Sequence, residues 1–248
     1  MDFIVTDLTR FKKGNPNACL AGIDTKTKQC VRPYPYLSMA EYQRLNIIPG
    51  VILSWALKSP AVIKKPHVED MAYGKLPIVK GPCSSKDFVD VLNATLRPSV
   101  KHGFDGKVPD NSKVIPTADP PDRSIITLKA DPKQIKIVRD KYDKEKIKFH
   151  FDDNDGTHYS FLPITDLGFY NLAIARQSEP NYTDLLNSFI WSQKQIYLRI
   201  GLSREYTHEK DGRSGYWIQV NGIYTFPEFM TAVRTYDPAE IKKMGMSS

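Results

Sequence analysis

A basic turn between two strand-like runs occurs near both ends of the sequence, each time followed by an aromatic and proline segment. Near the start, Leu8-Thr9-Arg10-Phe11 leads through Lys12, Lys13 and Gly14 to Ala21-Gly22-Ile23, then to Arg32-Pro33-Tyr34-Pro35-Tyr36. Near the end, Leu202-Ser203-Arg204-Glu205-Tyr206 leads through Lys210, Gly212 and Arg213 to Asn221-Gly222-Ile223, then to Tyr224-Thr225-Phe226-Pro227. Two explanations stand side by side: a diverged pair of similar β units, or a chance match of a few residues. Under the first, cationic turns beside clustered rings have a chemical meaning. They offer charge to phosphates and flat faces to the bases of a single strand.

Length and charge bound this reading. The 248 residues suffice for one large β domain or two of ordinary size, and 41% hydrophobic with 25% charged residues is ordinary globular composition. The formal net charge is +7, of which the first 122 residues contribute +5 and the remainder +2. Such an excess agrees with a nucleic-acid partner and equally with a solvated surface. Cys19, Cys30 and Cys83 are odd in number and form no C-x-x-C pair, which argues against a disulfide framework or a structural zinc site. The opening Met1-Asp2-Phe3-Ile4-Val5-Thr6-Asp7 lacks the pattern of a signal peptide, and no apolar run reaches membrane-spanning length. The expectation is a soluble cytoplasmic protein with no membrane association.

Short apolar runs broken by turns dominate. Phe3 to Leu8, Ala18 to Ile23, Gln29 to Arg32 and Val51 to Leu57 read as strands. Ser38 with Glu41 is a capping-box pattern for a brief helix from Met39 to Leu45, and Ser84 is placed to cap a second through Leu96. Residues 99 to 122, with prolines at 109, 116, 120 and 121, read as a long connecting segment. Ser124 to Lys129, Ile135 to Arg139, Lys146 to Phe151 and His158 to Leu162 then read as strands, and Asp166 as the cap of a helix from Leu167 to Arg176. Ile196 to Leu202 pairs with Tyr216 to Val220 as a hairpin, followed by Tyr224 to Phe226 and a short helix from Pro227 to Arg234. The expected fold is mainly β with short helices, two OB-like β-barrel units in tandem spanning 1–122 and 123–248. Strand and helix do not alternate as in a doubly wound sheet.

One segment invites a chemical reading. Pro66-His67-Val68-Glu69-Asp70 brings an imidazole and two carboxylates within five residues, so His67, Glu69 and Asp70 are candidates for acid/base work. The competing explanation is a polar turn whose side chains satisfy backbone groups or pair with a cation. The H-x-E of this segment and Pro82-Cys83-Ser84-Ser85-Lys86 superficially match a zinc deaminase, but Lys86 stands where the second cysteine is required. Asp152-Asp153-Asn154-Asp155-Gly156 begins like a calcium loop, yet strand-like flanks and Pro163 make it a hairpin turn. Walker, dinucleotide, G-x-S-x-G and H-E-x-x-H motifs are absent. Neither a metal site nor a cofactor is expected, and the enzyme reading rests on His67, Glu69 and Asp70.

Thr6-Asp7-Leu8-Thr9-Arg10, Cys19-Leu20-Ala21-Gly22-Ile23-Asp24, Cys30-Val31-Arg32-Pro33 and Pro66-His67-Val68-Glu69-Asp70 form one set of motifs. Arg199-Ile200-Gly201-Leu202-Ser203-Arg204 and Trp217-Ile218-Gln219-Val220-Asn221-Gly222-Ile223-Tyr224 form another. Together they resemble the dual OB-containing domain family over nearly the whole chain, apart from roughly residues 80 to 190, where no motif matches. The resemblance implies two OB-like barrels and says little about function.

The leading expectation is a non-enzymatic protein that binds single-stranded or locally opened nucleic acid, DNA or RNA. Arg10, Lys12, Lys13, Arg32, Arg199, Arg204 and Arg213 are its candidate phosphate contacts, and Tyr34, Tyr36, Tyr206, Tyr216 and Trp217 its candidate stacking residues. One alternative is an enzyme or a modified-base or nucleotide reader built on a His67, Glu69 and Asp70 pocket. The other is a protein-interaction module whose aromatics bind a partner chain.

Overall fold

The computed structural model describes residues 1–12, 14–140, 143, 146–209, 211–227 and 236. Its first sheet has seven strands: β1 (Asp2–Arg10), β2 (Ala18–Asp24), β3 (Cys30–Tyr34), β4 (Val51–Ser54), β5 (Leu57–Lys58), β6 (Asp70–Tyr73) and β7 (Ile78–Pro82). Their spatial order is β5-β6-β3-β2-β1-β4-β7, antiparallel throughout except for the parallel β3/β6 pair. β1 is buried along nearly its whole length because both faces are covered. Phe3, Val5 and Leu8 enter a core with Leu20, Val31, Leu53 and Trp55, while Ile4 points to the opposite side.

The helices form where the sequence caps them. α1 (Met39–Arg44) begins with a complete capping box between Ser38 and Glu41, and α2 (Ser85–Ala94) begins where the Ser84 hydroxyl accepts from the Asp87 amide at 3.0 Å. The connecting segment 99–122 carries α3 (Val100–Gly103) and β8 (Val114–Ile115), and its Val100, Phe104, Val108 and Ile115 sink into the second core. Beyond it lie β9 (Ile125–Ala130), β10 (Ile135–Arg139), β11 (Ile147–Asp152), β12 (His158–Pro163), α4 (Leu167–Ala175), α5 (Tyr182–Ser192), β13 (Gln195–Leu202), β14 (Tyr206–Thr207) and β15 (Ser214–Phe226). α4 starts at the Asp166 cap as the sequence indicates, whereas α5 is additional to the elements read there.

β10, β11 and β12 form a three-stranded sheet, and β14-β15-β13-β9 a second one with β8 joined to β15. A bridge between Ile164 and Val220, with the Thr165 amide donating to the Val220 carbonyl at 2.8 Å, closes one sheet onto the other. The fold is mainly β with short helices, its curled sheets forming OB-like barrels. The helix expected over residues 227–234 falls, after Pro227, outside the described residues.

A third apolar cluster joins the two sets of sheets. Phe88, Val91 and Leu92 of α2 pack with Ile4 and Ile23 on one side and Tyr197 and Tyr224 on the other. The Tyr197 hydroxyl reaches Asn93 at 2.8 Å. The glycines of the two echoed segments serve close approach: a Cβ at Gly22 would lie 2.4 Å from the Phe3 ring, and one at Gly222 would lie 2.8 Å from the Tyr224 ring.

Candidate functional site

Two ionic clusters lie where the N-terminal sheet meets the C-terminal sheets, and they differ in their access to water. The first is closed. β1 carries a bulge between Val5 and Asp7, and the β13/β15 ladder carries another at Arg199. Arg199 bonds Asp7 Oδ2 through Nε and Nη2, both at 2.9 Å, and donates through Nη1 to Thr127 at 2.7 Å. Its Nη2 also lies 3.3 Å from Cys30 Sγ, and Thr6 donates to the same Asp7 oxygen at 2.7 Å. Burial opposes the Arg199 charge but the Asp7 carboxylate outweighs it, so the guanidinium is held above its ordinary range. Burial pushes the Cys30 thiol up to about 12.

The second cluster is centred on Asp70 and opens to solvent. The parallel register of β3 and β6 sets Arg32 opposite Asp70, and Arg32 Nε donates to Oδ1 at 2.6 Å. Arg204 grips the same carboxylate with two bonds, Nη1 to Oδ2 at 2.8 Å and Nη2 to Oδ1 at 3.1 Å. Burial alone would raise the Asp70 carboxyl, but the Arg204 and Arg32 guanidiniums hold it below its usual range. Neighbouring Glu69 is occupied differently: it accepts from the Ser124 amide and hydroxyl, both at 2.7 Å, and from the Ile125 amide at 3.1 Å. Arg32 Nη1 donates to the Ser124 hydroxyl at 3.2 Å. His67 is buried, its ring set edge-on to Tyr216 at 5.7 Å beside the Ser203 backbone. Burial, reinforced by Arg32 and Arg204, lowers its pKa to about 3, so the imidazole is neutral at pH 7.

From Asp70 outward, Arg204 joins the two echoed segments. Its Nε donates to the Tyr36 hydroxyl at 2.9 Å, and its guanidinium carbon lies 5.2 Å from the Tyr34 ring centre and 5.7 Å from that of Tyr36. Tyr34 and Tyr36 meet edge to face at 5.2 Å, and Phe11 packs on Tyr36 at 4.9 Å. Tyr34 is 48% exposed and the Arg204 side chain 40%. On the far side, Ser203 and Trp217 exchange two bonds of 2.9 Å. The Trp217 indole donates to the Tyr206 carbonyl at 3.0 Å, with the Tyr206 ring 6.3 Å away and the Arg213 guanidinium 5.1 Å from its own ring. Arg213 also pairs with Asp211 at 2.6 Å.

The structure thus brings Tyr34, Tyr36, Arg204, Tyr206, Arg213 and Trp217 onto one exposed ridge. Other residues expected there lie elsewhere. Arg32, Arg199 and Tyr216 are buried, the two arginines because each neutralises a carboxylate in the seam. Arg10 lays its guanidinium 3.6 Å from the Tyr170 ring centre, Lys12 is exposed at the tip of β1, and Lys13 falls outside the described residues. Asp7, Ser124 and Phe11 were not singled out in the sequence. Asp7 carries a legible signal, since a carboxylate inside the apolar run Ile4-Val5-Thr6-Asp7-Leu8 demands a buried partner.

The family model of the dual OB-containing domain matches residues 8–223, from the end of β1 through both ionic clusters to β15. The chain belongs to the dual OB-containing domain family. No curated protein matches the chain. In this dual OB chain the ridge is built by both ends of the matched span, Tyr34 and Tyr36 from one and Arg204 and Trp217 from the other. No helix among the described residues is long and apolar enough to cross a membrane.

Proposed function

We propose that the ridge from Phe11 through Tyr34, Tyr36 and Arg204 to Trp217 binds single-stranded nucleic acid, DNA or RNA. The observation that carries this reading is the seating of Arg204 against Tyr34 and Tyr36. It turns two separate basic and aromatic segments into one surface that alternates rings with cations. Bases stack on exposed rings whatever their sequence, and guanidiniums and ammoniums neutralise the backbone. Arg204, Arg213 and Lys12 are its phosphate contacts, and Tyr34, Tyr36, Tyr206 and Trp217 its stacking residues. We also propose units of 1–122 and 123–248. All seven strands of the first sheet precede that division, and every other strand except β8 follows it.

The enzyme and nucleotide-reader alternative has less support. Glu69 and Asp70 already use their oxygens on Ser124, Ile125, Arg32 and Arg204, and neutral His67 packs against Tyr216. A protein partner would use the same exposed rings without steep salt dependence.

Fluorescence anisotropy with a short oligonucleotide across a salt series tests the proposal. Log affinity should fall linearly with log salt, by roughly 0.7 per phosphate contacted. Arg204→Ala should weaken binding and flatten the line by about one such contact. Binding that ignores salt would favour a protein-interaction surface.

A further inference from the structure

The outer face of the three-stranded sheet is where the barrel departs from simple strand alternation. Along β12, Tyr159 is buried and Phe161 should follow it inward. Instead the ladder slips: Phe149 pairs with Leu162 but Phe151 pairs with Tyr159, so Ser160 and Phe161 together oppose His150. Phe161 takes a φ of 53°, a left-handed conformation that costs a bulky residue roughly 1–3 kcal/mol. The bulge turns the ring outward, leaving it 42% exposed and 4.5 Å from the His150 ring. Leu162 takes the inward place and is fully buried.

Cations and a further imidazole surround this ring. Lys136 lies across the ladder from His150, and His158 lies across from Asp152 with its ring 6.1 Å from that of His150. Asp152 is engaged by His158 at 2.5 Å and Asp140 by Lys148 at 3.3 Å, whereas Lys113 and Lys136 have no carboxylate partner among the described residues. Lys113 instead donates to the Ser160 and Phe161 carbonyls at 3.3 and 3.2 Å. Burial lowers the Lys113 pKa, and Lys148 and Arg213 add to the effect. These cations therefore crowd one another.

The face is also continuous with the ridge. Lys113 immediately precedes β8, Val114 of β8 pairs with Trp217, and the Ile218 amide donates to the Lys113 carbonyl at 2.9 Å. Arg213, whose guanidinium lies by Trp217, is near enough to act on the Lys113 charge. Resting on the single-strand reading above, we infer that the bound strand continues past Trp217 and β8 onto this face, where Phe161, His150 and His158 stack bases and Lys113 and Lys136 meet phosphates. The extra length is what separates this inference from the ridge alone.

Affinity for oligothymidylates of about 5 and about 15 nucleotides, the range that OB units cover, tests it. Phe161→Gly suits the test because glycine accepts the φ that phenylalanine resists, so the variant should fold at least as stably as the parent. The parent should bind the longer strand more tightly, and Phe161→Gly should lose roughly fivefold or more of that advantage while binding the shorter strand unchanged. Lys136→Ala should reduce the salt slope for the longer strand only. A Phe161→Gly variant that binds both lengths like the parent overturns the extension and leaves the ridge intact. No binding of either length by the parent overturns both. Displacement by an acidic peptide as readily as by thymidylate would replace the strand with a protein partner.

Discussion

Arg199 and Arg204 sit five residues apart on one hairpin, and their surroundings separate fold from function. Arg199 is 1% exposed and spends its donors on Asp7, Thr127 and Cys30. Arg204 also holds a carboxylate, but 40% of its side chain faces water and its plane lies against two tyrosines. A buried pair fixes how the sheets dock and has nothing left for a ligand. An exposed arginine positioned by Asp70 and Tyr36 is preorganised for one.

The largest expected effect is therefore at Arg199. Arg199→Ala leaves Asp7 buried without its cation and should cost about 3–5 kcal/mol in denaturant unfolding, while Arg199→Met combined with Asp7→Leu should recover much of the loss. A mild effect from the single substitution would break the contrast. Arg204→Ala should cost about 1 kcal/mol or less, because its pair is half-exposed and Asp70 keeps Arg32. Equal losses at both positions would mean that Arg204 is as structural as Arg199.

His67 sharpens the boundary between the two regions through pH. Its folded pKa of about 3 lies below the ordinary value of 6.5, so the unfolded chain takes up the proton first as the medium is acidified. The contribution of neutral His67 is complete above about pH 6.5 and is lost as pH falls toward about 3. Stability of the parent relative to His67→Gln should decline across that window. A constant difference would show that the imidazole is not held neutral. The smallest effect is expected at Arg213, which is exposed and partly neutralised by Asp211. Arg213→Ala should leave stability unchanged and lower the salt slope of binding by roughly 0.7 at most.

Much of this organisation was legible in the sequence, and the gaps have physical causes. α1, α2 and α4 announce themselves through Ser38, Ser84 and Asp166, whereas Asn181 makes no side-chain cap bond for α5, so only its buried Tyr182, Leu186 and Ile190 betray it. Alternation correctly puts Tyr197 and Arg199 on one face of β13 but does not reveal that the other sheet covers that face. The Phe161 bulge inverts alternation within a single strand, which no periodic pattern reports. The paired basic turns were visible, yet that Arg204 bridges them depends on how the two halves dock.

The most direct measurement compares the parent with Tyr34→Ala for binding of a short oligothymidylate at several salt concentrations. Tyr34 is exposed and makes ring contacts only, so the variant should fold as the parent does. The account predicts a loss of about 1–3 kcal/mol in binding at every salt concentration, with the salt slope unchanged, because a stacking face is removed and no cation is. Failure of the parent to bind at low salt, or equal affinity in Tyr34→Ala, would contradict it.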